Sequence, residues 1–261
     1  MLLKRSNFIL ITSFLLALTG CVTTSDSSLS RNADPEVAIA RYVDLGFEYI
    51  KREDFTRARK HLDRALELDE DNPAANSALG LIFSRQGEYK LAEESFETAL
   101  SSDPTYTRGR TYYGALLFSQ QRFEEALEQF VRAAEDTTYN ARSQVYTNIA
   151  LCHLRLGSTS KAEYAYERSL QLDRFNAGSL AGITEVLLKL NEYKRAQYYY
   201  NRLIKQIASQ ALSHSPQTLW QGVRIAKHFN AHDQAQSLAN LLQEQYPDSP
   251  EYQNYLSQYG G

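Results

Sequence analysis

An interval of 34 residues constrains this sequence more than any other feature. Ala58, Leu62 and Ala65 are followed 34 positions later by Ala92, Phe96 and Ala99, and after another 34 by Ala126, Phe130 and Ala133. Ala162, Tyr166 and Ser169 come 36 further on, Ala196, Tyr200 and Leu203 after 34, and Ala235, Ala239 and Leu242 after 39. A second set runs ahead of the first: Leu45-Gly46 with Tyr49, Leu79-Gly80 with Phe83, Tyr113-Gly114 with Leu117, then the weaker Ile149-Ala150, Ile183-Thr184 and Gly222-Val223. Offsets of three, four and seven place each set on one helical face. The small residues let two helices approach, and the large ones fill the groove beside them. Each period is thus a pair of helices, too small to bury its own apolar face, and it has to stack on its neighbours. Asp54, Gly87, Gly157-Ser158 and Asn191 supply turns between the two sets.

This pattern resembles the tetratricopeptide repeat (TPR) over residues 39 to 249, with Pro104 and Pro247 ending their repeats where the TPR family places proline. The resemblance implies an all-α TPR solenoid, a right-handed superhelix of about six helix-turn-helix repeats. They are expected at 39–72, 73–106, 107–140, 143–176, 177–210 and 216–249, with extra residues near Thr137 to Arg142 and Ala208 to Pro216 lengthening two connections. The sixth is the poorest match and is expected to act as a terminal cap. Residues 250–261 read as a tail.

Ahead of the repeats the chain reads as an address. Lys4 and Arg5 precede a short apolar stretch from Phe8 to Leu18, interrupted only by Thr12 and Ser13. It is too short to span a bilayer comfortably and has the layout of a signal peptide, 1–20. Leu18-Thr19-Gly20-Cys21 resembles the bacterial lipobox, so Cys21 is the expected lipidation site. Several acyl chains on one residue anchor a protein stably. Val22 stands where an inner-membrane retention signal would resemble aspartate. The expected location is therefore the outer membrane, facing the periplasm. Thr23 to Asp34, rich in Ser, Thr and Asp, reads as a flexible tether reaching on the order of 20 Å.

Composition excludes some functions. At 43% hydrophobic and 23% charged residues the chain is too apolar for disorder. Without Lys4 and Arg5 it carries 26 basic against 31 acidic residues and has no basic block, which argues against nucleic acid as a partner. Cys152 has only the adjacent His153 as a nearby base, and neighbours on a helix point in different directions, so catalysis is not expected. His228 and His232 are four apart, but the repeat register with Asn230 places His232 in a turn, so no metal site is expected. No phosphate loop or nucleophile elbow occurs, and neither cofactor nor small-molecule substrate is implied. The expected function is to hold another protein.

In TPR arrays the first helix of each repeat lines the inner face. Carried over, this gives Val43, Phe47, Ile50 and Lys51, then Ser77, Leu81, Ser84 and Arg85, then Thr111, Ala115, Phe118 and Ser119. TPR domains that grip a carboxyl terminus have a clamp of Lys and Asn where this chain has Val43, Phe47 and Leu81, so that ligand is disfavoured. Val43, Phe47, Ile50, Leu81 and Phe118 are expected instead to form an apolar groove rimmed by Lys51 and Arg85, suited to an amphipathic helix or apolar strand. Trp220, Arg224, Lys227 and His228 are expected to form a second, more polar surface.

The segment Tyr112-Tyr113-Gly114 through Gln120-Gln121-Arg122-Phe123, then Arg132-Ala133-Ala134-Glu135-Asp136, Tyr139, Arg142, Asn148 and Cys152, resembles the type IV pilus biogenesis lipoproteins of the PilW/PilF family. The layout of lipobox, tether and six repeats is similar too. Family members often carry cysteine where Phe118 stands here. The resemblance implies a pilotin, a lipoprotein that binds secretin subunits and promotes their outer-membrane localisation and multimerisation. Another periplasmic TPR lipoprotein, adapting peptidoglycan hydrolases or serving β-barrel assembly, remains the alternative.

Overall fold

The computed structural model describes residues 34–210 and 213–259. The signal segment, Cys21 and most of the tether lie outside them. The described residues form six helix pairs: α1 (Pro35–Lys51) with α2 (Phe55–Leu68), α3 (Pro73–Gln86) with α4 (Tyr89–Ser102), and α5 (Thr107–Ser119) with α6 (Phe123–Glu135). These are followed by α7 (Arg142–Arg155) with α8 (Thr159–Leu172), α9 (Ala177–Lys189) with α10 (Tyr193–Ser209), and α11 (Pro216–His228) with α12 (His232–Gln245). A thirteenth helix, α13 (Pro250–Tyr259), closes the array. Each first helix packs on its own second helix, and α1, α3 and α5 also pack on one another in sequence. The result is an all-α TPR solenoid whose first helices line the inner face.

The turns inside the pairs share one construction. A residue with positive φ sits in each: Glu53 (60°), Gly87 (81°), Gln121 (64°), Gly157 (74°), Asn191 (59°) and Asn230 (57°). Their spacing repeats that of the core residues. The next backbone N–H reaches back five residues, as in Glu88 N to Phe83 O at 2.9 Å and Arg122 N to Leu117 O at 3.0 Å. This is the Schellman closure of a helix, and it needs a left-handed residue. Starts are marked as clearly. Pro35, Pro73 and Pro216 occupy first turns, and Asn72, Asn176 and Ser215 cap the N–H groups of Ala75, Ser179 and Thr218. His232 opens α12 rather than lying in the turn, which ends at Ala231.

The core runs along the repeats as a column of Leu62, Phe96, Phe130, Tyr166 and Tyr200, none more than 4% exposed. Burying each contributes roughly 1.5–3 kcal/mol, whereas an exposed ion pair contributes about 0–1 kcal/mol. Stability therefore rests on this column rather than on surface pairs such as Arg64–Glu67. Small residues make room for it. Gly80 lies against Phe96 and Gly114 against Phe130 within one repeat, but Gly182 lies against Tyr166 and Gly222 against Tyr200 of the preceding repeat. Among the later repeats the column thus also locks one repeat to the next.

The segment read from sequence as a tail contains α13. Its Tyr252 and Tyr255 pack on the last apolar cluster, around Leu219, Val223 and Leu242, and Tyr259 approaches Trp220 at 6.1 Å. Trp220 is consequently buried, not part of an open polar surface. The polar composition of 250–261 obscured a short helix whose aromatic residues share one face.

Candidate partner-binding groove

The predicted groove residues divide on the structure. Val43, Gly46 and Ile50 share the face of α1 that turns inward, and Ile50 is 2% exposed in the first core cluster with Ala58 and Leu62. Ile50 is therefore a core residue and not a groove contact: position 50 lies two helical turns from Val43, on the stripe occupied by Gly46. Val43 is buried too, yet it lines a cleft beside the groove. Phe47 and Leu81 are half-buried against the same cluster and keep an accessible side. Lys51 and Arg85 are exposed, each within loose reach of a carboxylate, Glu48 at 3.8 Å and Glu53 at 4.0 Å.

Phe47 of α1 meets Tyr112 of α5 with ring centroids 6.2 Å apart. The Arg108 guanidinium lies 5.1 Å from the Phe47 centroid. These contacts reach past α3, where Leu81 is half-buried and Ser77 is fully buried against α5. They make an aromatic surface with a cation stacked on it, an arrangement worth about 0.5–1 kcal/mol while exposed and about 2 kcal/mol once a partner excludes water. Burial raises the Tyr112 phenol above its ordinary range while nearby Arg108 opposes the rise, so the ring keeps its proton near neutral pH. Phe118 has other partners: Phe123 at 5.2 Å, edge to face, with Arg155 at 5.9 Å from both rings. Two aromatic-arginine units thus form, Phe47–Tyr112–Arg108 between α1 and α5 and Phe118–Phe123–Arg155 at the α5–α6 turn.

Sequence reasoning missed Arg108, Tyr112 and Arg155. Arg108 and Tyr112 are four apart on α5 and so share a face, which was a readable signal. The TPR register points instead to Thr111 and Ala115, one helical step around. Next to Arg108 opens a cleft of about 610 Å³, with Ile39, Val43 and Tyr106 among its walls and Glu36, Asp44, Asp69, Asp103 and Asp136 around it. Several of these acids have local duties. Asp103 accepts from the Thr105 hydroxyl at 2.7 Å, and Asp136 accepts from Thr138 and Thr107, which hold its carboxyl below the usual range. Burial pushes the Tyr106 phenol up to about 12. The groove therefore has an acidic edge near the starts of the inner helices and basic groups, Lys51 and Arg85, at their ends.

The remaining candidates are structural. Cys152 is fully buried, and burial pushes its thiol up to about 12, so it stays protonated at neutral pH. His228 stacks on Tyr193 at 3.6 Å. Arg224 donates from Nη1 to both carboxylate oxygens of Glu185, at 3.0 and 3.1 Å, and Gln221 donates to the Ala181 carbonyl, so this surface ties α11 to α9.

Tetratricopeptide-repeat family models match residues 43–107 and 107–174. The chain is 35% identical over 248 residues to the type IV pilus assembly protein PilF of Pseudomonas aeruginosa, covering 94% of this chain and 96% of that protein. A solved structure of P. aeruginosa PilF aligns with a TM-score of 0.80 at 33% identity, over 86% of this chain and 99% of that one. PilW, described as a widely conserved type IV pilus biogenesis factor, has the same fold, with a TM-score of 0.71 at 24% identity over 84% of this chain and 98% of that one.

Proposed function

This chain belongs to the PilF family of TPR proteins of type IV pilus assembly, and from that membership we propose that it acts as a pilotin for the pilus secretin. Its role in type IV pilus biogenesis comes with the family; the partner and the mechanism are our reading. Cys21 carries lipid and takes the chain to the outer membrane, where the repeats face the periplasm. The groove holds an apolar segment of a secretin subunit during transit, keeps it from aggregating and releases it into the growing ring.

The Phe47–Tyr112–Arg108 contact carries this reading. Half-buried aromatic rings on a concave face beside a guanidinium are the residue types that dominate binding energy at interfaces. The groove offers no lysine-asparagine clamp for a carboxyl terminus, so an internal amphipathic segment is the better fit. The test compares heat-resistant secretin multimers and co-purified secretin in cells carrying the wild-type chain, Phe47→Glu with Leu81→Glu, or Cys21→Ser. Fewer multimers with both variants, the groove variant still folded, is the expected result. Normal multimers in the groove variant, or hydrolases or barrel-assembly proteins co-purifying in place of secretin, would reject it.

A further inference from the structure

The outer side of the fourth and fifth repeats carries a feature the groove does not explain. A cleft of about 800 Å³ opens between the α8–α9 turn and α10. Phe175 and Tyr198 stand at it with 58% and 60% of their surfaces exposed, which is high for large aromatic side chains. Arginines are held against them: Arg174 lies 4.6 Å from the Phe175 centroid, and Arg202 lies 5.5 Å from that of Tyr198. The Arg202 guanidinium also donates to the Arg174 backbone carbonyl at 2.8 Å, which ties Arg202 to the α8–α9 turn. Lys205 adds a third positive charge one turn along α10, and no carboxylate lines the cleft. None of the three forms an ion pair among the described residues.

We propose that this cleft is a second docking site, for an extended acidic segment of a partner protein bearing an apolar or aromatic side chain. Charge complementarity sets the sign, because the chain as a whole is acidic, at −3, while this cleft is purely cationic. Shape favours a peptide over a membrane, since a flat bilayer cannot enter a recess. The site is separate from the Phe47 groove, so its occupancy is independent of the secretin reading.

The probe is a short fluorescein-labelled peptide of alternating glutamate and phenylalanine, compared with its lysine-for-glutamate counterpart and with vesicles of phosphatidylglycerol and phosphatidylcholine. The full chain binds the acidic peptide, more weakly as salt rises, and does not bind the lysine peptide. Arg174→Glu with Lys205→Glu weakens binding on the order of tenfold, and Tyr198→Ala weakens it as well. Arg202 is left in place in these variants because its bond to the Arg174 carbonyl supports the turn. Phe47→Glu leaves peptide binding unchanged. Equal binding by the wild type and the Arg174/Lys205 variant overturns the proposal. So does vesicle binding that the same variant abolishes while peptide binding is absent, which would make the surface a membrane contact.

Discussion

Single residues in this protein are chosen by backbone angle and by clearance. Glu53, Gln121, Asn191 and Asn230 hold the left-handed conformation that Gly87 and Gly157 hold in the sister turns. Non-glycine residues pay for this geometry, asparagine least. Gln121→Gly should therefore raise stability by up to about 1 kcal/mol, read as a higher midpoint in urea; no change or a fall would mean that the Gln121 side chain has an unrecognised role. Clearance acts in the opposite direction at Gly182. A methyl group there overlaps the Tyr166 ring, which is itself nearly fully buried and cannot swing into solvent. Gly182→Ala should lower stability by about 1–3 kcal/mol in the same titration, and a neutral result would show that Tyr166 does not interlock the fourth and fifth repeats. The recurring alanines and aromatics were legible in the sequence because spacing alone reveals them. Glu53 and Gln121 were not, since neither residue type signals a positive φ.

At the scale of elements, joints between repeats differ along the array. Where the second repeat meets the third, Tyr113 and Arg122 reach Glu93 at part-buried positions, whereas α7, α8 and α9 add fully buried hydroxyls to their apolar contacts. Thr147 lies 2.7 Å from Ser179, and Ser179 donates to Ser169 at 2.8 Å. Ser143 lies 3.0 Å from Ser169 and accepts from Asn176, the cap of α9. Ser169 occupies the position held by Ala65, Ala99 and Ala133 in earlier repeats, so the sequence recorded the substitution, while the partners that make it tolerable come from 10 to 26 residues away and appear only in three dimensions. Buried polar groups are expensive when a partner is lost. Ser169→Ala should destabilise by about 1–3 kcal/mol, although alanine is the repeat's own choice there, and a stabilised variant in calorimetry would show that the remaining hydroxyls satisfy one another. Helix α13 escaped sequence reading for a related reason: its Tyr252, Tyr255 and Tyr259 gain a purpose only once Trp220 and Leu219 are in place beneath them.

The whole molecule is a curved stack whose two sides present different chemistry. Inside, α1, α3 and α5 carry Phe47, Leu81, Tyr112 and Arg108, with acids at one edge and Lys51 and Arg85 at the other. Outside, the second helices carry solvated charge interrupted by aromatic clefts. The inner surface was partly legible from the repeat register. Phe47 and Leu81 are half-buried and keep an accessible side, whereas Ile50 turns into the core because one helical step decides between groove and core. Membership of the PilF family and this groove together lead to the claim that the concave face holds a secretin segment. A photo-crosslinking residue placed at Tyr112 in living cells, with one at Tyr164 on the outer side as a control (64% exposed), tests it most directly. The account predicts a secretin adduct from position 112 and none from 164; an adduct from 164 alone, or none with secretin from either, would contradict it.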